Sequence, residues 1–284
     1  MAVLRTVREF SELPPGYGLG TKHVLLRPFC ARFCARPGAL DVQFHERPRL
    51  ELELELLSMC CEGEDGVSPG RQALLDLPVS ARTEALLALA ALSNPRPLEW
   101  SFRCGNPSCG SENEFELSFA ELAECADRTR LETSAETEVD GIRLQLRRPT
   151  GRDQLSWEES GGAPSAEVVL QTLVSAADSG PSNPLERLPL ERIATVVDRV
   201  MGDFDPLAAF ELEAVCPVCG SATKTAVELA NAALERLATE QAELLVEIHL
   251  LASHYHWDEE AIVRLPAWRR RFYLQQIDGA GWIS

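Results

Sequence analysis

Leu98-Glu-Trp-Ser-Phe-Arg-Cys104-Gly-Asn-Pro-Ser-Cys109-Gly-Ser111 and Phe210-Glu-Leu-Glu-Ala-Val-Cys216-Pro-Val-Cys219-Gly-Ser221 are two versions of one pattern. In each, apolar residues alternate (Leu98, Trp100, Phe102; Phe210, Leu212, Ala214) as on a strand with one buried face, then run into a close cysteine pair that ends Cys-Gly-Ser. Each has the form of half a zinc ribbon. A structural zinc takes four tetrahedral thiolates at about 2.3 Å, and a close pair bends around the ion while glycine supplies the positive-φ turn. One pair leaves the shell open; two pairs from hairpins distant in sequence close it. Cys104, Cys109, Cys216 and Cys219 are therefore the expected ligands of one structural zinc, which makes the intervening chain a long insertion. The alternatives for these thiols are a disulfide, a redox dithiol, or four unrelated buried groups. The first pair has four intervening residues and the second has two, so the first hairpin is either enlarged or contributes a weaker ligand.

Composition narrows the classes. The 284 residues are 45% hydrophobic, enough for one large or two modest domains with a real core. Met1 to Phe10 include no long apolar stretch, and no later run approaches the ~20 apolar residues of a membrane span, so a cytoplasmic protein, possibly particle-associated, is expected, with no membrane partner. Nine cysteines without a secretion signal favour reduced thiols and metal over a disulfide framework. A net charge of −17, from 44 acids against 27 Lys and Arg, disfavours a nucleic-acid partner, which needs clustered basic residues.

Outward from the hairpins, the expected class is helix-rich α+β: paired zinc-ribbon-like hairpins with a helical insertion and a C-terminal helical cap. Residues 1–69 form an N-terminal region whose Arg49-Leu-Glu-Leu-Glu-Leu-Glu-Leu-Leu57 alternates like a strand with an acidic, solvated outer face. Cys30, Cys34, Cys60 and Cys61 read as small buried hydrophobes rather than a second metal site. Residues 70–126 hold helices and the first hairpin, with Ser80 as the N-cap of one helix and Asn94-Pro95 as its stop. Residues 127–207 are the insertion. There Ile142–Arg147 alternates as a strand, and Thr150 with Asp153 has capping-box form. Helices are expected over 165–177 and 190–201, the second with an apolar stripe of Ile193, Val196, Val197, Val200 and Met201 and with Gly202 as its C-terminal cap. The turn-rich stretch 178–184 joins them, and Asp205-Pro206 is expected to open a short helix. Residues 208–235 carry the second hairpin. Residues 236–284 form the helical cap, with Asp258 an N-cap, Pro266 in a first turn, and His249, His254 and His256 in an aromatic corner rather than a metal site.

The order of Ser80-Ala-Arg-Thr-Glu-Ala-Leu-Leu, strand, cysteine pair, Arg148-Pro-Thr-Gly-Arg-Asp153, Asp205-Pro206 and Cys216-Pro-Val-Cys219-Gly resembles the T-even-type baseplate hub assembly proteins of contractile phage tails, relatives of which occur with phage-derived contractile injection systems. The stretch Ile248-His-Leu-Leu-Ala-Ser-His-Tyr-His-Trp257 with Leu265-Pro-Ala-Trp-Arg-Arg-Arg-Phe-Tyr273 is similar to a small helical module encoded beside such tail genes. The resemblance spans residues 70–278; the N-terminal region lies outside it. It implies a non-catalytic assembly factor or chaperone whose partners are baseplate, hub, spike or other tail proteins. The alternative it leaves is a stable baseplate subunit retained in the particle. A zinc-ribbon nucleic-acid module is a third class, set aside by the charge. Trp257, Trp268, Arg269, Arg270, Arg271, Phe272 and Tyr273, the aromatic and arginine-rich tail, are the candidate partner-binding residues. No Gly-rich phosphate loop, no histidine beside a cysteine pair and no Ser, His and Asp arrangement points to an enzyme.

Overall fold

The computed structural model describes residues 24–26, 29, 39–63, 66–129, 132–160, 164–177 and 188–280. Cys30, Cys34 and the 178–184 connector lie outside them. The chain is a helix-rich α+β fold with small antiparallel sheets. Strand β1 (Val24–Leu26) pairs with β2 (Cys61–Gly63), on either side of helix α1 (Arg49–Cys60). Helices α2 (Arg71–Asp76) and α3 (Val79–Ser93) follow, then the first hairpin, β3 (Leu98–Arg103) and β4 (Glu112–Leu117). Helix α4 (Phe119–Thr129) leads into a separate sheet in the order β5 (Ser134–Val139), β6 (Ile142–Arg147), β7 (Val174–Ala176), with helices α5 (Gly151–Glu159) and α6 (Ala166–Leu173) between β6 and β7. Helix α7 (Leu190–Phe204) returns to the second hairpin, β8 (Glu211–Val215) and β9 (Ala222–Ala226). The long α8 (Leu229–Tyr255), α9 (Glu259–Arg264) and α10 (Ala267–Ala280) complete the chain.

The described residues form two apolar cores. The main core packs α1, α3 and one side of α8 along its length with the inward residues of the first hairpin. The insertion has its own: Leu144 and Leu146 of β6 against Leu170, Val174, Ile193 and Val197. The expected α7 stripe is this surface, with Val196, Val200 and Met201 at its margin.

The 49–57 stretch is a helix, not a strand. Leu and Glu both favour helix, and Leu50, Leu52, Leu54, Leu56 and Leu57 are buried on several sides of it. Its glutamates do not form a solvated face. Glu51 pairs with Arg71, Glu55 with Arg47, and buried Glu53 with both Arg49 and Arg82. Strict alternation arises here because the helix is apolar nearly all round and each acid meets an arginine.

Four smaller expectations are corrected for related reasons. Ser80 is a buried residue inside α3 and not its cap; Pro78 occupies the cap, and the Val79 N–H donates to the Pro149 carbonyl at 2.8 Å. A neighbouring strand end thus satisfies a first-turn donor that a cap side chain usually takes. Helix α6 stops at Leu173, and Val174 to Ala176 pair with Leu146 to Leu144, giving those buried leucines a third strand. Helix α7 runs through Gly202 to Phe204. There Arg148 Nη2 donates to the Phe204 carbonyl at 3.1 Å with its guanidinium over the Phe204 ring, so a cation ends the helix in place of glycine. Asp205-Pro206 makes a turn, closed by Ala208 N–H to the Asp205 carbonyl, rather than a helix. The expected Thr150 and Asp153 capping box and Asp258 cap are present, and Ser165 caps α6 by accepting from Val168 N–H.

Candidate metal centre

In both hairpins the strands end directly at the first cysteine. Cys104 N–H donates to the Ser111 carbonyl and Cys216 N–H to the Ser221 carbonyl, each at 2.9 Å, so each loop closes on the last rung of its ladder. In the second loop Gly220, at φ 72°, donates back to the Cys216 carbonyl. The first loop does the same one turn later. Cys109 and Gly110 donate to the Asn106 carbonyl, and Gly110 takes φ 57°. The extra residues are absorbed by Asn106, whose Oδ1 accepts from Ser108 N–H at 3.0 Å in an Asx-turn. The first hairpin is thus enlarged, and both of its thiols still reach the site.

The four sulfurs meet. All lie within 4.8 Å of one another, with Cys104 Sγ to Cys219 Sγ at 3.6 Å and Cys109 Sγ to Cys216 Sγ at 3.9 Å. A tetrahedron of thiolates about 2.3 Å from a central ion has edges of about 3.8 Å. Both measured pairs run between hairpins. All four thiols are free, and a shared metal ion accounts for their convergence at one point at these separations. Among the described residues this is the one group of three or more such side chains arranged to hold an ion.

Hydroxyl and amide groups surround the sulfurs. Ser111 Oγ lies 3.2 Å from Cys216 Sγ and 3.3 Å from Cys109 Sγ. Asn113, buried on β4, directs Nδ2 to the Ser111 carbonyl at 3.1 Å and to Cys216 Sγ at 3.7 Å. Asn106 Nδ2 reaches Ser221 Oγ and Cys219 Sγ, and Gly105 N–H donates to Thr223 Oγ1, binding one hairpin to the other. The Ser111 hydroxyl is the main reason the Cys216 thiol is drawn down to about 6; Ser221 draws Cys219 down likewise. Cys104 has a favourable backbone N–H from Asn106, yet burial and the neighbouring thiols push it up to about 11. Four adjacent thiolates repel, and a bound cation removes that conflict because coordination deprotonates thiols outright.

Sequence reasoning located the four sulfurs but missed Asn113. Its signal is a polar side chain at a position where β4 alternation calls for an apolar one, since Phe115 and Leu117 continue the same face.

The aromatic and arginine-rich tail divides in two. Trp257 and Tyr273 pack inward with Tyr255, at ring distances of 4.8 to 5.5 Å. The histidines expected in this aromatic corner are not packed into it: His254 touches Tyr255 from the edge at 4.8 Å, and His249, His254 and His256 are all exposed, because they fall on the outer side of α8 or just past its end. Arg270 is buried and structural: its Nε donates to Glu247 at 2.9 Å and its Nη1 to the Leu265 carbonyl at 2.6 Å. Trp268 and Phe272, 62% and 53% exposed, point outward with Arg269 and Arg271. No described helix is long and apolar enough to cross a membrane.

A second polar centre, unmarked in the sequence, lies where α1, α3 and α5 meet. Arg82 is completely buried, its Nε donating to Glu53 Oε2 at 3.2 Å, its Nη1 to the Leu77 carbonyl at 3.0 Å and its Nη2 to Gln154 Oε1. Gly151 lies against it; a Cβ there would stand 2.8 Å from Arg82 Nη1 and 3.1 Å from Leu75 Cα. The Arg148 to Asp153 motif is therefore a clamp. Pro149 and Thr150 pair with the α2–α3 junction, and Arg152 bridges to Asp76.

No protein-family model, curated protein or solved structure matches this chain.

Proposed function

We propose that this chain is a non-catalytic assembly factor or chaperone for the baseplate and hub of a contractile tail or a phage-like contractile injection system, built on a structural zinc. The observation that carries the reading is the four-cysteine cluster itself. It joins two hairpins separated by more than a hundred residues, and it completes the ordered set of motifs on which the resemblance rests. Zinc suits an all-sulfur tetrahedral set, and four protein ligands leave no open position for a substrate. The ion's work is then to fix the hairpins as a base. From that base the insertion and the C-terminal helices project toward baseplate, hub, spike or other tail proteins. The outward Trp268, Phe272, Arg269 and Arg271 are the part of the tail free to meet such a partner.

Co-expression with each candidate tail component, followed by affinity capture and fractionation of mature particles, tests this. A chaperone binds a hub or baseplate component and is absent from finished particles. Stoichiometric presence in particles would instead make it a retained subunit, and binding to no tail component would remove the assembly role.

A further inference from the structure

Helix α8 has three faces, and one of them has no partner among the described residues. At about 100° per residue, Leu237, Gln241, Leu244, Ile248 and Leu251 fall on one side and are buried in the main core. Glu247 faces α10, where it takes Arg270. The remaining face carries Ala242, Leu245, Val246, His249, Leu250 and Ser253, all exposed and spaced at three and four residues. Leu245 and Leu250 are 41% exposed and Val246 is 58% exposed. An exposed helical face in a chain with 25% charged residues usually carries charge; this one has none over more than three turns. Its borders are acidic. Glu235 and Glu243 on α8 and Asp258 and Glu259 beyond its C-terminal end are exposed, while the neighbouring Glu260 is taken by Arg264, and α8 contains no lysine. Its one arginine, Arg236, is held by the Arg96 and Pro97 carbonyls.

We infer that this face of α8 docks a basic amphipathic helix, whose apolar stripe covers Leu245, Val246 and Leu250 while its Lys or Arg residues meet the acidic border. Pairing of helices through such stripes is a common recognition mode, with anchors at three- and four-residue spacing. The border decides against a second copy of this chain. Two such faces brought together would juxtapose their glutamates, in molecules that each carry a net charge of −17. The inference does not depend on the contractile-tail reading, since it specifies the partner's chemistry alone.

The test uses the full chain and two synthetic 18-residue helices of matched leucine spacing, one with lysine at its polar positions and one with glutamate. The paired variant Val246→Glu with Leu250→Glu is compared with the wild type after circular dichroism shows unchanged helix content; His249→Glu serves as a milder second variant. The leucine–lysine helix is expected to bind at least tenfold more tightly than the leucine–glutamate helix, and both variants to weaken it, the paired one by tenfold or more. The variants add negative charge, so attraction by net charge alone would strengthen binding. Undiminished or stronger binding to the paired variant would overturn the inference, as would equal binding of the two helices. A wild-type dimer in sedimentation velocity that the paired variant dissociates would also overturn it, making a second copy the occupant.

Discussion

The hairpin tips and the α1–α3–α5 junction both bury polar groups, by opposite means. At the tips four like thiols converge, and they can be thiolates together only around a cation. At the junction a guanidinium meets one carboxylate, one carbonyl and one amide, and the charges close among themselves. Burial pushes Arg82 below its usual value and Glu53 draws it back. The contrast shows what each centre needs from outside. The tips are arranged to hold an ion from solution, whereas the junction is complete once the chain has folded.

That difference can be broken experimentally. The largest effect is expected from Cys216→Ser, which should lower metal content and the melting temperature more than any other single change, because structural zinc supplies folding free energy of order 10 kcal/mol in small sites. A strong chelator added to the wild type should reproduce the loss. Arg82→Ala comes next, at about 3 kcal/mol in chemical denaturation, since it leaves the buried Glu53 with only the partly exposed Arg49 opposite it and strips the Leu77 carbonyl and Gln154 of their donor. Replacing the pair together, Arg82→Met with Glu53→Leu, should recover most of that loss. Apolar groups can substitute for a self-contained ion pair but not for metal ligands. Gly151→Ala should cost about 1–3 kcal/mol, because the added methyl group meets both Arg82 and the Leu75 backbone.

The smallest effect concerns Asp205, which is 1% exposed with neither carboxylate oxygen hydrogen-bonded, Arg148 Nε being 3.6 Å away. Burial raises its pKa above the ordinary carboxylate value. The folded state then holds the proton more tightly than the unfolded chain, so Asp205 favours folding at low pH and loses that contribution as pH rises through its folded value. The melting temperature of Asp205→Asn, relative to wild type, should therefore climb from about pH 4 to about pH 7. A difference that stays flat or falls would show that Arg148 compensates the charge.

The two centres also differ in how openly the sequence declares them. Cysteine pairs ending in Cys-Gly-Ser state their geometry locally, because the turn and two ligands lie within a few residues; pairing the two sets needed only the closing of a tetrahedral shell. Arg82 and its partners are 29 and 72 residues apart and each looks ordinary where it stands. Partners outside the segment also overturn the strand reading of 49–57, where Glu51 pairs with Arg71 and Glu53 with Arg82 from later helices, beside the local pairs with Arg47 and Arg49. Such partners likewise displace Ser80 and Gly202 from their expected caps, since the Pro149 carbonyl and the Arg148 guanidinium do that work from other elements. Caps whose partner lies three residues away, at Thr150 and Asp258, are legible for the converse reason.

Elemental analysis of the purified chain, with native mass spectrometry on the same sample, tests the central claim most directly. One zinc per chain, lost on Cys216→Ser, is the result expected of a centre shared between the two hairpins. A folded chain with no bound metal would contradict it.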